Sequence, residues 1–70
     1  MNYREVAAKL RALGCVEIPR RSGGSHRKWH NPRKQKIAPV PDWGNKSLKL
    51  GTIRAIVRQP DLDWEAFKNA

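Results

Sequence analysis

The sequence predicts an α+β fold in which helices cover one face of a three-stranded antiparallel sheet. Apolar residues recur at helical spacing at the start of the chain and again in its last third. Between these two segments, three short stretches with strand character are separated by turns rich in glycine, asparagine and proline. Strands joined by short turns form an antiparallel meander. The expected order is therefore helix, three strands, helix and a short last helix.

The first helix is predicted from Asn2 to Leu13. Asn2 is a favourable N-cap, and Glu5 stands three residues later, where its side chain can complete a capping box. Gly14 follows as the residue that adopts the left-handed conformation at a helix end. The apolar residues of this helix fall on one stripe, formed by Tyr3, Val6, Ala7, Leu10 and Leu13.

The three strands are predicted at Cys15–Arg21, Ser25–His30 and Gln35–Val40. A glycine-rich turn separates the first two strands, and an Asn-Pro turn separates the last two. Pro39 lies inside the third strand and cannot donate a backbone hydrogen bond. That strand is therefore expected to lie at an edge of the sheet or to contain a bulge.

The segment Asp42–Leu50 is predicted to be irregular. A second helix is expected over Thr52–Gln59, because its apolar residues share one face and Pro60 ends it. Asp63 is then expected to cap a short last helix that carries a tryptophan and a phenylalanine.

Length and charge together favour a small domain that binds an anionic polymer. The 70 residues include 15 Lys and Arg against 6 Asp and Glu, a net charge of +9, which favours nucleic acid as partner. The run from Ile18 to Val40 has seven basic residues and no acidic one. Residues 1–70 are expected to form one domain, too small for a deep cleft, so that a site would be a shallow surface.

Several classes of function lack their sequence signals. Cys15 is the only cysteine, so no internal disulfide is possible, and it is expected to be a small buried hydrophobic residue. No signal peptide or transmembrane run is found, so we expect a cytoplasmic protein without a membrane partner. No glycine-rich nucleotide-binding motif occurs, and no cofactor is expected. His26 and His30 would lie about 13 Å apart on a strand, too far to share one zinc ion, so no metal site is expected.

Alternation along the second strand predicts a histidine on the uncovered face of the sheet. If Trp29 points into the core, His26 and Lys28 face solvent together with His30. On the neighbouring first strand, the same alternation is expected to place Glu17 and Arg21 on this open face.

His26 is the candidate catalytic residue, because imidazole takes up and releases a proton near neutral pH. Acting on RNA without a metal, it would be the general base on a ribose 2′-hydroxyl or the general acid to the leaving oxygen. Arg21 or Lys28 would stabilise the charge that builds on the phosphate. Trp43, beside Lys46 in the irregular segment, is the candidate for stacking on a base.

Motifs along nearly the whole chain resemble those of the HicA family of bacterial toxins. They are Arg21-x-x-Gly24-Ser25-His26, the aromatic Trp29, Val40-Pro41, and Lys46-x-Leu48-x-x-Gly51-Thr52-Ile53-x-x-Ile56-x-x-Gln59. The Leu13-Gly14 end of the first helix is similar too. The residues expected to contact RNA are Arg21, Ser25, Lys28, Trp43 and Lys46.

The resemblance implies a fold similar to that of double-stranded-RNA-binding domains. It also implies an endoribonuclease that cleaves mRNA and is neutralised by a HicB-type antitoxin protein. The family's catalytic histidine, in its Gly-Ser-His motif, maps onto His26. This agrees with the position that strand alternation gives to the same residue.

The sequence departs from the family's pattern after the third strand. Many members carry a second histidine two residues after the proline that ends that strand. Here Pro41 is followed by Asp42 and Trp43, so a tryptophan replaces that histidine. If the second histidine assists binding or proton transfer in relatives, this chain works without it.

Two alternatives remain open at this point. A non-catalytic RNA-binding module of the same architecture would need its basic residues but not His26. A domain whose basic face docks an acidic protein is the other. DNA binding is less favoured, because the second helix offers only Arg54 and Arg58 as exposed contacts.

Overall fold

The structure is a computed structural model that describes residues 1–19 and 26–70. Its three strands form one antiparallel sheet in the order β1-β2-β3. The predicted α+β fold is confirmed, and the architecture is consistent with that of double-stranded-RNA-binding domains. The elements in chain order are α1 (Tyr3–Ala12), β1 (Val16–Ile18), β2 (His26–Asn31), β3 (Lys36–Pro41), α2 (Leu50–Arg58) and α3 (Trp64–Asn69).

The helix-capping interactions predicted at the ends of α1 and at the start of α3 are present. The Asn2 side chain accepts a hydrogen bond from the Glu5 backbone N–H at 3.0 Å, and the Glu5 carboxylate accepts one from the Asn2 N–H at 3.1 Å. Gly14 has a φ of 91°, which is the left-handed conformation that closes the helix. Asp63 caps α3 by accepting a hydrogen bond from the Ala66 N–H at 2.9 Å.

The hairpin of β2 and β3 lies one residue further along the chain than predicted. Asn31, expected in the turn, is the last residue of β2 and pairs with Lys36. Its side chain is buried, donating to the Pro60 carbonyl oxygen at 2.8 Å and accepting from the Arg33 backbone N–H at 3.2 Å. This long-range bond to the end of α2 draws Asn31 into the sheet. β3 is an edge strand, as Pro39 predicted.

The helices pack on the face of the sheet that carries Trp29. Trp29 is 1% exposed, and its indole N–H donates to the Tyr3 hydroxyl of α1 at 3.1 Å. Burial raises the pKa of Tyr3, so its hydroxyl stays neutral in this contact. Cys15 is buried in the same core, as predicted, and this burial raises the pKa of its thiol. The largest buried side chains from the helices include Val6, Leu10, Val57 and Phe67.

The prediction for Glu17 is wrong. The register pairs Glu17 with Trp29, and directly paired residues project to the same side of a sheet, so Glu17 lies on the helix-covered face. The open face of β1 instead presents Val16 and Ile18. Glu17 is held on the covered side because its carboxylate forms an ion pair with Arg27 there.

Candidate nucleic-acid interface

The open face of the sheet presents alternate side chains of β2. Trp29 is buried and the Arg27 guanidinium lies 5.3 Å from the Tyr3 ring of α1, so both belong to the covered face. His26 and Lys28 are exposed on the opposite face, where strand alternation predicted them. At about 3.3 Å per residue, they stand about 7 Å apart along the strand. An imidazole and an ammonium group can thus reach the same stretch of a bound chain.

The side chains along the open face of β2 form what we call the open-face column: His26, Lys28 and His30. Apolar side chains of β1 and β3 lie on either side of it. His30 is half-buried and sits between Val16 of β1 and Ile37 of β3. Lys28 pairs with Ile18 in the next row. The open-face positions that the structure describes carry no carboxylate, so nothing among them repels a phosphate.

Arg27 joins two segments that flank His26 in the fold. Its Nη1 donates to the Glu17 carboxylate of β1 at 2.9 Å, and its Nε donates to the Asp42 carboxylate after β3 at 2.9 Å. The hydrogen bond to Glu17 is the main reason that the pKa of Arg27 lies above its usual range. Arg27 thereby holds both carboxylates on the covered side, away from the open face.

Trp43 and Lys46 lie together in the turn that leaves the sheet beside His26. His26 pairs with Pro41 at the end of β3, and Trp43 follows two residues later. Asp42 also accepts a hydrogen bond from the Gly44 N–H at 3.1 Å, which fixes this turn. Trp43 is 45% exposed, its carbonyl oxygen accepts from the Lys46 N–H at 3.3 Å, and the two side chains line one shallow depression.

The structure therefore groups the sequence-predicted site residues in two places at one end of the sheet. His26 and Lys28 share the open face, and Trp43 and Lys46 share the adjoining turn. Two further candidates for RNA contact lie outside the described residues. They are Arg21 and Ser25.

The Glu17–Arg27–Asp42 cluster was not predicted from the sequence. Strand alternation places Arg27 on the side of Trp29, and a guanidinium on the covered face requires a carboxylate partner. The need of the Arg27 guanidinium for a carboxylate partner is therefore the sequence feature from which an ion pair at this position could have been predicted. The identity of the partners depends on register and on the path of the chain after β3, which local patterns do not contain.

Removing the Arg27 guanidinium is expected to destabilise the fold. In Arg27→Met, the Glu17 and Asp42 carboxylates lose their shared cation and are left as two like charges close together. The variant should therefore have a lower Tm than the native protein at pH 7. Circular dichroism melts measure the difference, and an unchanged Tm would contradict the prediction. Arg33→Met, on an exposed turn residue, is the control.

The described residues also bear on metal binding and on membrane insertion. Across residues 1–19 and 26–70, no group of three or more His, Cys, Asp or Glu side chains is placed to hold a metal ion. No helix in the part of the chain that the structure describes is long and apolar enough to cross a membrane.

Comparison with known proteins assigns the family. None of the curated proteins matches this chain. A family model described as "HicA toxin of bacterial toxin-antitoxin" matches residues 3–62, which span α1, the whole sheet and α2, and stops short of α3. The match includes the open-face column as well as the Trp43 turn. The resemblance seen in the sequence motifs is thereby confirmed: this chain belongs to the HicA family of bacterial toxin–antitoxin toxins.

Proposed function

We propose that this chain is the toxin of a type II toxin–antitoxin pair and that it cleaves mRNA, with His26 as the catalytic residue. The observation that carries the proposal is the exposed His26 imidazole on the open sheet face, about 7 Å from Lys28. Polymeric RNA can lie on such a shallow surface. Membership of the HicA family supports mRNA as the class of substrate.

In the proposed reaction, His26 takes the proton of a ribose 2′-hydroxyl. The 2′-oxygen then bonds to the adjacent phosphorus and the bond from phosphorus to the 5′-oxygen breaks. That oxygen leaves with a proton taken from solvent water, and His26 returns to solvent the proton that it accepted. The products are a 2′,3′-cyclic phosphate and a 5′-hydroxyl. Lys28 stabilises the negative charge on the non-bridging oxygens, and no metal ion is needed in this scheme.

The remaining predicted contacts would hold the strand in place. Trp43 is exposed enough to stack on a base, and Lys46 beside it can bind a phosphate. Arg21 and Ser25 belong to the motif that precedes His26, and we assign them to phosphate contacts near the cleaved bond.

The antitoxin partner follows from the family and from charge. The net charge of +9 favours a protein with an acidic surface, and we propose a HicB-type antitoxin that covers the basic face. Translation takes place in the cytoplasm, so a toxin that destroys mRNA acts there.

The proposed reaction is tested with a matched pair of nucleic acids. The purified protein should cleave an RNA oligonucleotide in EDTA and leave DNA of the same sequence intact, because DNA lacks the attacking 2′-hydroxyl. The RNA fragments should end in 2′,3′-cyclic phosphates. A requirement for Mg²⁺, cleavage of the DNA or fragments with 5′-phosphate ends would overturn the mechanism.

A non-catalytic RNA-binding module is the second candidate, and the replacement of the family's second histidine by Trp43 favours it. The same experiment separates the two. Salt-sensitive RNA binding without strand cleavage, unchanged in His26→Ala, would establish the binding module and reject the nuclease.

A further inference from the structure

The open face carries an apolar row that the proposed chemistry at His26 does not use. Val16 is 57% exposed and Ile37 is 47% exposed, and both flank the half-buried His30 across the sheet. No described helix packs over this row, since the helices pack against the Trp29 face. Exposed apolar side chains grouped in this way commonly mark a binding site.

The chemistry of the row fits a flat aromatic group. The imidazole of His30 offers an aromatic face, and the branched aliphatic side chains on both sides of it offer edges against which a ring can lie. His30 cannot act on the phosphate at His26, because the two side chains lie about 13 Å apart along β2. That separation is comparable with two nucleotides of an extended single strand.

We propose that Val16, His30 and Ile37 form a subsite for one unpaired nucleobase, about two nucleotides from the phosphate that His26 attacks. The base stacks on the His30 imidazole between the two aliphatic side chains, and Lys28 holds a phosphate between this base and the cleaved bond. The inference rests on the proposed function, since it uses the same RNA strand on the same face.

The charges around the apolar row favour RNA as its ligand. Lys28 stands in the adjacent row, and the described open-face positions hold no carboxylate, so a backbone of phosphates can run along the column. A base paired within a duplex has no free face to offer, whereas an unstacked base of a single strand does. The subsite therefore requires the RNA to be single-stranded beside the cleaved bond.

The subsite is tested by binding measurements that do not depend on cleavage. The probes are two 2′-O-methyl oligonucleotides of equal length, which lack the attacking hydroxyl, one with bases and one abasic throughout. Fluorescence anisotropy with the full chain should show that His30→Ala weakens binding of the base-bearing probe roughly tenfold, as loss of one stacking contact does. Binding of the abasic probe should not change.

Matched variants separate stacking from charge and from folding. Ile37→Ala should act in the same direction as His30→Ala. Leu50→Ala is the control, because Leu50 is an equally exposed aliphatic residue but lies on α2. Lys28→Ala should weaken both probes alike and lower the dependence of log K on log salt by about one phosphate contact.

Each outcome decides between the proposals. Equal weakening of the two probes in His30→Ala, or no weakening of either, overturns the subsite and leaves the nuclease proposal standing. A native protein that neither binds nor cleaves RNA overturns the proposed function and the subsite together. Variants of the row that bind both probes normally but lose the antitoxin would make this row a protein-docking surface, which also overturns the subsite.

Discussion

Replacing His26 by alanine is expected to lower the rate of RNA cleavage by about 10²–10⁴-fold, the usual contribution of general acid–base catalysis. The fold should survive, because His26 is an exposed first residue of β2 and its side chain is not part of the core. RNA binding should survive as well, since Lys28 and the Trp43 turn remain in place. The loss should therefore appear in the chemical step.

Single-turnover cleavage at saturating protein measures that step directly. Circular dichroism melts of His26→Ala should match those of the native protein, and anisotropy should give a similar RNA affinity. Leu50→Ala is the matched control: it should cleave at nearly the native rate, since Leu50 is an exposed residue of α2 and lies outside the sheet. If His26→Ala cleaves at the native rate under these conditions, the catalytic assignment is wrong.

The features that could be predicted from the sequence are local ones. The capping box of Asn2 and Glu5, the left-handed Gly14 and the Asp63 cap each depend on residues only a few positions apart. The position of His26 on the open face required a single anchor, the burial of Trp29, and the alternation of a strand. All the residues that determine each of these features lie within or next to one helix or strand, so the features can be predicted without knowing how distant segments pack.

What could not be predicted depends on contacts between distant segments. Glu17 was expected on the open face because it alternates with apolar Val16, yet it lies on the covered face, where Arg27 neutralises it. Arg27 also pairs with Asp42, which lies 15 residues further along the chain, just after β3. The expected position of Glu17 implied that its neighbour Val16 points into the core, but Val16 is 57% exposed, because not every apolar side chain of a folded protein is buried.

The helix α3 lies beyond residues 3–62 that the family model matches, but its Phe67 is fully buried in the core. The Phe67 ring stacks on Trp64 with a centroid distance of 5.9 Å. The ammonium group of Lys9 in α1 lies 5.9 Å from the same ring and donates to the carbonyl oxygens of Lys68 and Ala70, at 3.0 Å each. These contacts tie the last helix to the first and indicate that α3 is an integral part of the fold.

Phe67→Ala is accordingly expected to lower the free energy of unfolding by about 3–5 kcal/mol, the usual cost of removing a buried aromatic ring. A domain of this size has only about 3–5 kcal/mol of stability, so the variant should be largely unfolded without denaturant. Urea titration followed by circular dichroism measures the difference, with Asn69→Ala on the exposed side of α3 as the unchanged control. A free energy of unfolding within about 1 kcal/mol of the native value would mean that the Phe67 ring contributes little to the stability of the core. A loss of the expected size would mean that the sheet that carries His26 depends for its stability on a helix beyond the matched residues 3–62, because that sheet shares one core with Phe67.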